Sequence, residues 1–230
     1  MRSILVRGVL PGALVMIVSG CGGFEAGDGT RAADSAGNTG APAPLVPSDY
    51  RAPWACGAKY YVSQGNDGDL CTASDGDHVA PLQAYAWDFA LPRHTPVAAS
   101  RAGEVTLVDN EVAPGDDCYD GCPDPFGSPD FVACCSRCLL RSNHVNVEHD
   151  DGTVATYWHL DQAIVREGER VAAGQVLGYS GTSGCSTGPH LHFQVMGDCA
   201  TGFCASIPIR FADADVPACG DRVTSQNGCR

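Results

Sequence analysis

This 230-residue chain is poor in several things that whole classes of function require. Lys59 is its only lysine, which disfavours Schiff-base chemistry, a P-loop lysine, and lipoyl or biotinyl attachment. Basic residues number 14 against 27 acidic ones, a formal charge of −13. No basic stripe interrupts that acidity, so the chain repels phosphate backbones and nucleic-acid binding is excluded. Long apolar runs are missing too: the stretch Val9–Val18 is too short for a comfortable membrane span of about 20 residues. No amphipathic helix of 12 or more residues is evident, which turns the fold reading towards strands. What the chain has is 44% hydrophobic residues, enough to bury a core, and 13 cysteines.

The N-terminus has the form of a targeting segment. Arg2 and Arg7 precede the apolar run, and Ser19-Gly20-Cys21 follows it. Small residues directly before a cysteine resemble a bacterial lipobox, with cleavage before Cys21 and lipid on its sulfur; an ordinary secretory signal is the alternative. Either reading exports the chain. A lipid at Cys21 would tether it to a membrane, on the periplasmic face, and Gly22 is compatible with the outer membrane. Losing residues 1–20 removes two arginines and leaves 12 basic residues against 27 acidic, or −15.

With Cys21 reserved for lipid, 12 cysteines remain, an even number that suits an oxidising compartment and up to six disulfides whose connectivity is unreadable. Cys118, Cys122, Cys135 and Cys138 also have spacings open to a structural zinc site; export and the even count favour disulfides.

Residues 21–48 are mostly small and polar and read as a flexible tether. From 49 to 230 the chain reads as one domain. Val105–Val108, Val145–Glu148, Thr153–Trp158 and Leu191–Val195 carry the strand signature, with a hairpin turn at Asp150-Asp151-Gly152. The expected fold is all-β and mainly antiparallel. Residues 110–142, with five cysteines and little core of their own, read as a disulfide-stapled insertion between two strands. Residues 197–230 form a second Cys-rich segment without a readable motif.

Chemistry concentrates where Gly188-Pro189-His190-Leu191-His192-Phe193 places two histidines at i and i+2. On a strand both imidazoles share one face while Leu191 and Phe193 enter the core. His159, in Tyr157-Trp158-His159-Leu160, adds a third imidazole. Asp88, in Trp87-Asp88-Phe89, adds a carboxylate that would be costly to bury without a cation. Two histidines and a carboxylate around an open position make a catalytic zinc set. His94, His144 and His149 read as turn or locally hydrogen-bonded residues. Tyr85, Tyr157 and Trp158 read as core or groove wall, with Tyr157 a candidate for lining the cleft. Cys185, before the paired histidines, reads as a disulfide that rigidifies its loop.

Trp87-Asp88-Phe89-Ala90-Leu91-Pro92 with Thr95-Pro96-Val97-Ala98-Ala99, His149-Asp150-Asp151-Gly152 leading into Tyr157-Trp158-His159-Leu160, Gly174-Gln175-Val176-Leu177-Gly178, and Gly181-Thr182-Ser183-Gly184 before Gly188–Phe193 together resemble the lysostaphin/LytM-like M23 zinc metallopeptidases. The resemblance spans residues 78–196. It implies a β-rich groove, one Zn²⁺ per chain, and cleavage of peptide bonds in peptidoglycan cross-links, with a regulatory protein partner as a further expectation. The family usually places its first zinc histidine four residues before the aspartate, a position held here by Ala84. The segment Gln64-Gly65-Asn66-Asp67-Gly68 resembles a branch whose histidine is spaced further away, and His78 is then the expected first ligand. The resemblance thus implies His78, Asp88 and His192 as metal ligands and His159 and His190 as catalytic groups.

Two other classes compete. A zinc-less member that binds the wall or activates another hydrolase is supported by Ala84, but the retained Asp88, His159, His190 and His192 weigh against it. A lipoyl-like carrier or phosphotransfer domain would explain the Gly-Gln-Val hairpin, but no lysine lies there and an exported chain meets no cytoplasmic phosphodonor.

Overall fold

The computed structural model describes residues 47–66, 78, 82–122, 125–197, 199 and 202–230. The expected signal segment, the lipidated Cys21 and nearly all of the tether lie outside them. Among the described residues, eleven strands and one helix follow in order. The strands are β1 (Lys59–Gln64), β2 (Trp87–Phe89), β3 (Pro96–Ala98), β4 (Gly103–Asp109), β5 (His144–Glu148), β6 (Val154–Trp158), β7 (Leu160–Ala163), β8 (Arg170–Val171), β9 (Val176–Ser180), β10 (Leu191–Met196) and β11 (Arg222–Thr224). The helix, α1 (Pro129–Cys138), falls between β4 and β5.

Eight strands form one sheet in the order β11-β1-β2-β10-β6-β5-β4-β8, and three form another, β3-β9-β7. Every ladder between named strands is antiparallel, as the alternating runs predict. The β5–β6 hairpin closes where expected: His149 N donates to Thr153 O at 2.8 Å, and Gly152 takes the positive φ of 77° that its turn requires.

One face of the large sheet carries Phe89, Val147, Tyr157, Leu191, Phe193 and Val195 into a single core with Trp54, Trp87 and Phe211, all of them buried. Aromatic rings meet edge-on there, Trp54 on Phe89 at 4.9 Å and Trp87 on Phe211 at 4.9 Å, contacts worth about 0.5–1.5 kcal/mol each beyond burial. Tyr157 belongs to this core and not to a cleft: it is fully buried, and its hydroxyl accepts a hydrogen bond from Ser100 N at 2.8 Å. The candidate cleft role for Tyr157 is thereby corrected. Its ring follows Phe193 and Val145, its cross-strand partners, inward.

The motif-less C-terminal segment is integral to the domain. β11 pairs with β1, Phe211 sits in the core, Pro217 O accepts from Trp87 Nε1 at 3.0 Å, and Cys229 is bonded to Cys56.

Residues 110–142 connect β4 to β5, as an insertion should. Asn143 closes its base: Val112 N donates to Asn143 Oδ1 at 2.9 Å and Asn143 Nδ2 to Val112 O at 2.8 Å. Inside lies α1, short and strongly capped. Ser128 Oγ accepts from Phe131 N, Pro129 takes the first turn, and Asp130 and Arg137 complement the helix ends. Phe131, Cys134 and Cys138 share its buried face. The cysteine quartet open to a zinc reading is oxidised instead: Cys118–Cys138, Cys122–Cys134 and Cys135–Cys185 are disulfides, and Cys199–Cys204 is another. A sulfur committed to a disulfide is no thiolate ligand.

Candidate metal centre

Strand register assembles the site. Asp88 on β2 lies directly opposite His192 on β10, which lies opposite Trp158 on β6; Gln64 on β1 pairs with Asp88 from the other side. One row across four strands therefore carries the carboxylate and a histidine on adjacent strands, pointing away from Phe89 and Phe193. His190 enters two residues before His192 on the same face, bridged to Gly181. His159 sits between β6 and β7, where the chain leaves one sheet for the other. Its φ of 62° is strained for a non-glycine residue and is held by Gly181 N donating to His159 O at 2.9 Å.

Side-chain geometry converges on Asp88. His192 Nδ1 lies 3.0 Å and His78 Nε2 3.5 Å from Asp88 Oδ1, and His190 Nε2 lies 3.7 Å from Asp88 Oδ2. The His159 and His190 rings are 4.5 Å apart. His78, Asp88 and His192 offer three ligand atoms within 4.8 Å of one another. Ala84 leaves the usual position without a ligand, and His78 occupies the place beside Asp88.

Hydrogen bonds decide which ring nitrogens are free. A carbonyl only accepts, so His78 Nδ1, 3.1 Å from Gly65 O, carries the proton and Nε2 keeps its lone pair towards Asp88. Gln194 Nε2 donates to Cys204 O at 3.0 Å, which turns Gln194 Oε1 towards His192 Nε2 at 3.3 Å. His192 then donates from Nε2 and presents the Nδ1 lone pair to the carboxylate. Two imidazole lone pairs and an anionic oxygen facing one another demand a positive charge between them, so this donor set fits a cation.

Without an ion, protons on the histidines supply part of that charge. Burial works against the Asp88 carboxylate, but His190, His78 and His192 around it outweigh burial and hold its pKa well below the usual carboxylate range. Burial also works against a charged His78; the facing Asp88 carboxylate outweighs it and raises the pKa. His192 is lowered, chiefly by burial. His159 is pushed down to about 3, by burial first and then by His190 and His192, so it is neutral at pH 7. His159 Nδ1 donates to Ser183 O at 2.8 Å and His190 Nδ1 to Gly188 O at 2.8 Å, leaving Nε2 of each as an acceptor.

A cleft of about 260 Å³ opens beside this centre, lined by Asp88, His190, Gln64 and Pro189, with Tyr61 and Phe126 both about half exposed. Trp158 and Phe203 stand edge to face at 4.9 Å beside His192. The other histidines match their modest expectations. His144 Nδ1 donates to Ser142 O and its ring stacks on Trp158, His149 Nδ1 donates to Ala102 O, and His94 is exposed beside Asp161. Three supporting residues were not singled out from the sequence: Ser183, Gly188 and Gln194. Only Gln194 carried a signal, since it repeats the i+2 spacing after His192 on a strand.

Residues 135–201 match the family model "Peptidase family M23", a span holding His159, His190 and His192. Over 109 residues the chain is 31% identical to "Peptidoglycan DD-endopeptidase ShyA" of Vibrio cholerae, covering 47% of this chain and 19% of that one. Over 70 residues it is 41% identical to "Glycyl-glycine endopeptidase ALE-1" of Staphylococcus capitis, covering 30% and 19%. The chain thus spans about a fifth of the length of these curated relatives. The catalytic domain of lysostaphin from Staphylococcus simulans aligns at 28% identity with a TM-score of 0.39, covering 61% of this chain and 82% of that one. Motif, strand register and family match coincide on the same histidines, within a segment of the chain that matches peptidase family M23.

Proposed function

We propose that this chain is a zinc-dependent endopeptidase that hydrolyses peptide bonds in bacterial peptidoglycan cross-links. The observation that carries the reading is the convergence of His78, Asp88 and His192 with the two acceptor nitrogens of His159 and His190 beside one open cleft. His78 Nε2, an Asp88 carboxylate oxygen and His192 Nδ1 would hold the ion. When bound, zinc lowers the pKa of a coordinated water towards about 7 and polarises a carbonyl.

The chain's own groups do the rest. His159 is neutral at working pH and its tautomer is locked by Ser183 O, so its Nε2 is ready to accept a proton. His190, locked likewise by Gly188 O, presents its Nε2 beside Asp88. One of this pair takes the proton of the attacking water at Nε2, while the other would stabilise charge developing on the carbonyl oxygen once its own Nε2 carries a proton. Tyr61 and Phe126 supply apolar walls for the peptide.

The relatives' names divide between a peptidoglycan DD-endopeptidase and a glycyl-glycine endopeptidase, and what they share is cleavage within a peptide chain. The disulfides suit an oxidising compartment, which accords with export; a lipid anchor at Cys21 remains part of the proposal on the sequence motif alone.

Incubation of the full chain with purified peptidoglycan, followed by mass spectrometry of released fragments, tests the reading. New amino termini at cross-links are expected. His159→Ala and His190→Ala should each keep the metal and lose about 10²–10⁴-fold in turnover. No cleavage by the zinc-loaded protein would overturn the enzyme reading in favour of a wall-binding or regulatory protein. Unchanged turnover in either variant would remove that histidine from the mechanism.

A further inference from the structure

Both catalytic imidazoles are oriented by one irregular segment. Residues 182–189 loop out from the Gly181–His190 bridge, and Ser183 O and Gly188 O accept from His159 Nδ1 and His190 Nδ1. This segment has no ladder of its own; its outer side is held by the insertion. Gly184 N donates to Cys118 O at 2.8 Å, and Cys122 N donates to Ser186 O at 2.6 Å. The Cys135–Cys185 disulfide ties the segment to α1. Gly121, at φ 70°, lies so close that a Cβ there would stand 2.5 Å from Ser186 O and 2.7 Å from Thr182 O.

We propose that the insertion positions the catalytic histidines, with Cys118, Gly121, Cys122 and Cys135 acting through segment 182–189 on the carbonyls that orient His159 and His190. These are positioning residues; none touches the reacting atoms. The physical reason is tolerance. A carbonyl displaced by about 1 Å no longer holds its imidazole in line, and misplacement of that size costs up to about 10²-fold in rate. The metal ligands are held differently, by strand register and by Gly65 and Gln194, so loosening the segment should spare metal binding.

The inference rests on the reading of His159 and His190 as catalytic, so one of its tests does not depend on turnover. Gly121→Ala, which keeps every disulfide, and the double variant Cys135→Ser/Cys185→Ser are compared with wild type. Zinc content, kcat and KM on a peptidoglycan fragment are measured, together with hydrogen exchange of the His159 and His190 Nδ1 protons by NMR. Both variants should keep wild-type zinc, lose about 10- to 100-fold in kcat with KM nearly unchanged, and exchange those protons faster. The control Cys56→Ser/Cys229→Ser, remote from the segment, should lower Tm and leave kcat and exchange unchanged.

Wild-type exchange and kcat in Gly121→Ala would overturn the proposal, as would an equal fall of kcat in the control. If the double variant does not fold, Gly121→Ala decides. If the wild-type protein cleaves nothing, the functional reading fails and the exchange data alone decide whether the insertion positions the imidazoles.

Discussion

The sheet core and the 110–142 insertion lie side by side and are held together by opposite means. The core cluster contains twenty-five buried residues, none of them cysteine and seven of them aromatic. The insertion's cluster has six buried residues, and four of those are half-cystines. A segment with so little apolar surface cannot offset its own chain entropy, so cross-links replace burial. Burial is spread over many contacts and positions residues through strand register, as it does for Asp88 and His192. Cross-links act at points, and here one reaches out of the insertion to Cys185. The metal ligands therefore depend on the core, while the orientation of the catalytic imidazoles also depends on the staples.

Substitutions that attack each region separately sharpen this contrast. Phe193→Ala should have the largest effect, about 3–5 kcal/mol of lost stability, because Phe193 is fully buried against Tyr157 and Phe211. Denaturant unfolding measures it, and a loss below about 1 kcal/mol would mean the core is not the common support assumed here. Cys118→Ser/Cys138→Ser opens a 20-residue separation and should cost about 3 kcal/mol. Native-state hydrogen exchange should show that loss in the insertion and not in β6 or β10; uniform loss would break the comparison.

The smallest effect concerns the β5–β6 hairpin. Burial alone would raise the pKa of Asp151, but its hydrogen bonds from Thr153 and Arg101 bring it down to about 2. A carboxyl depressed on folding contributes stability above its unfolded pKa of about 4 and loses that contribution as pH falls towards 2. Asp151→Asn should therefore lower Tm slightly at pH 6, and that difference should vanish near pH 2. A difference that persists at pH 2 would assign the effect to packing instead of charge.

These differences explain what could be read in advance. The strands at Val105–Val108, Val145–Glu148 and Leu191–Val195 were legible because alternation and a local hairpin turn are short-range signals. The paired histidines were legible because a strand puts His190 and His192 on one face wherever the strand lies. Asp88 opposite His192 is a pairing across 104 residues; it could be suspected from a carboxylate among apolar residues but not placed. Non-local features gave no local sign. β11 pairs with β1 from the far end of the domain, and the insertion's disulfides follow a connectivity that spacing cannot encode. Tyr157 read as core or groove wall, with the cleft as a candidate, because sequence alone does not show which way its ring turns; its cross-strand partner Phe193 takes it into the core.

Zinc content of the full, disulfide-bonded chain, wild type against His78→Ala, probes the metal centre at its least expected ligand. About one zinc per chain in the wild type and none retained by the variant is the predicted result, since a catalytic site keeps three protein ligands. Stoichiometric zinc in His78→Ala, or none in the wild type after reconstitution, would contradict it.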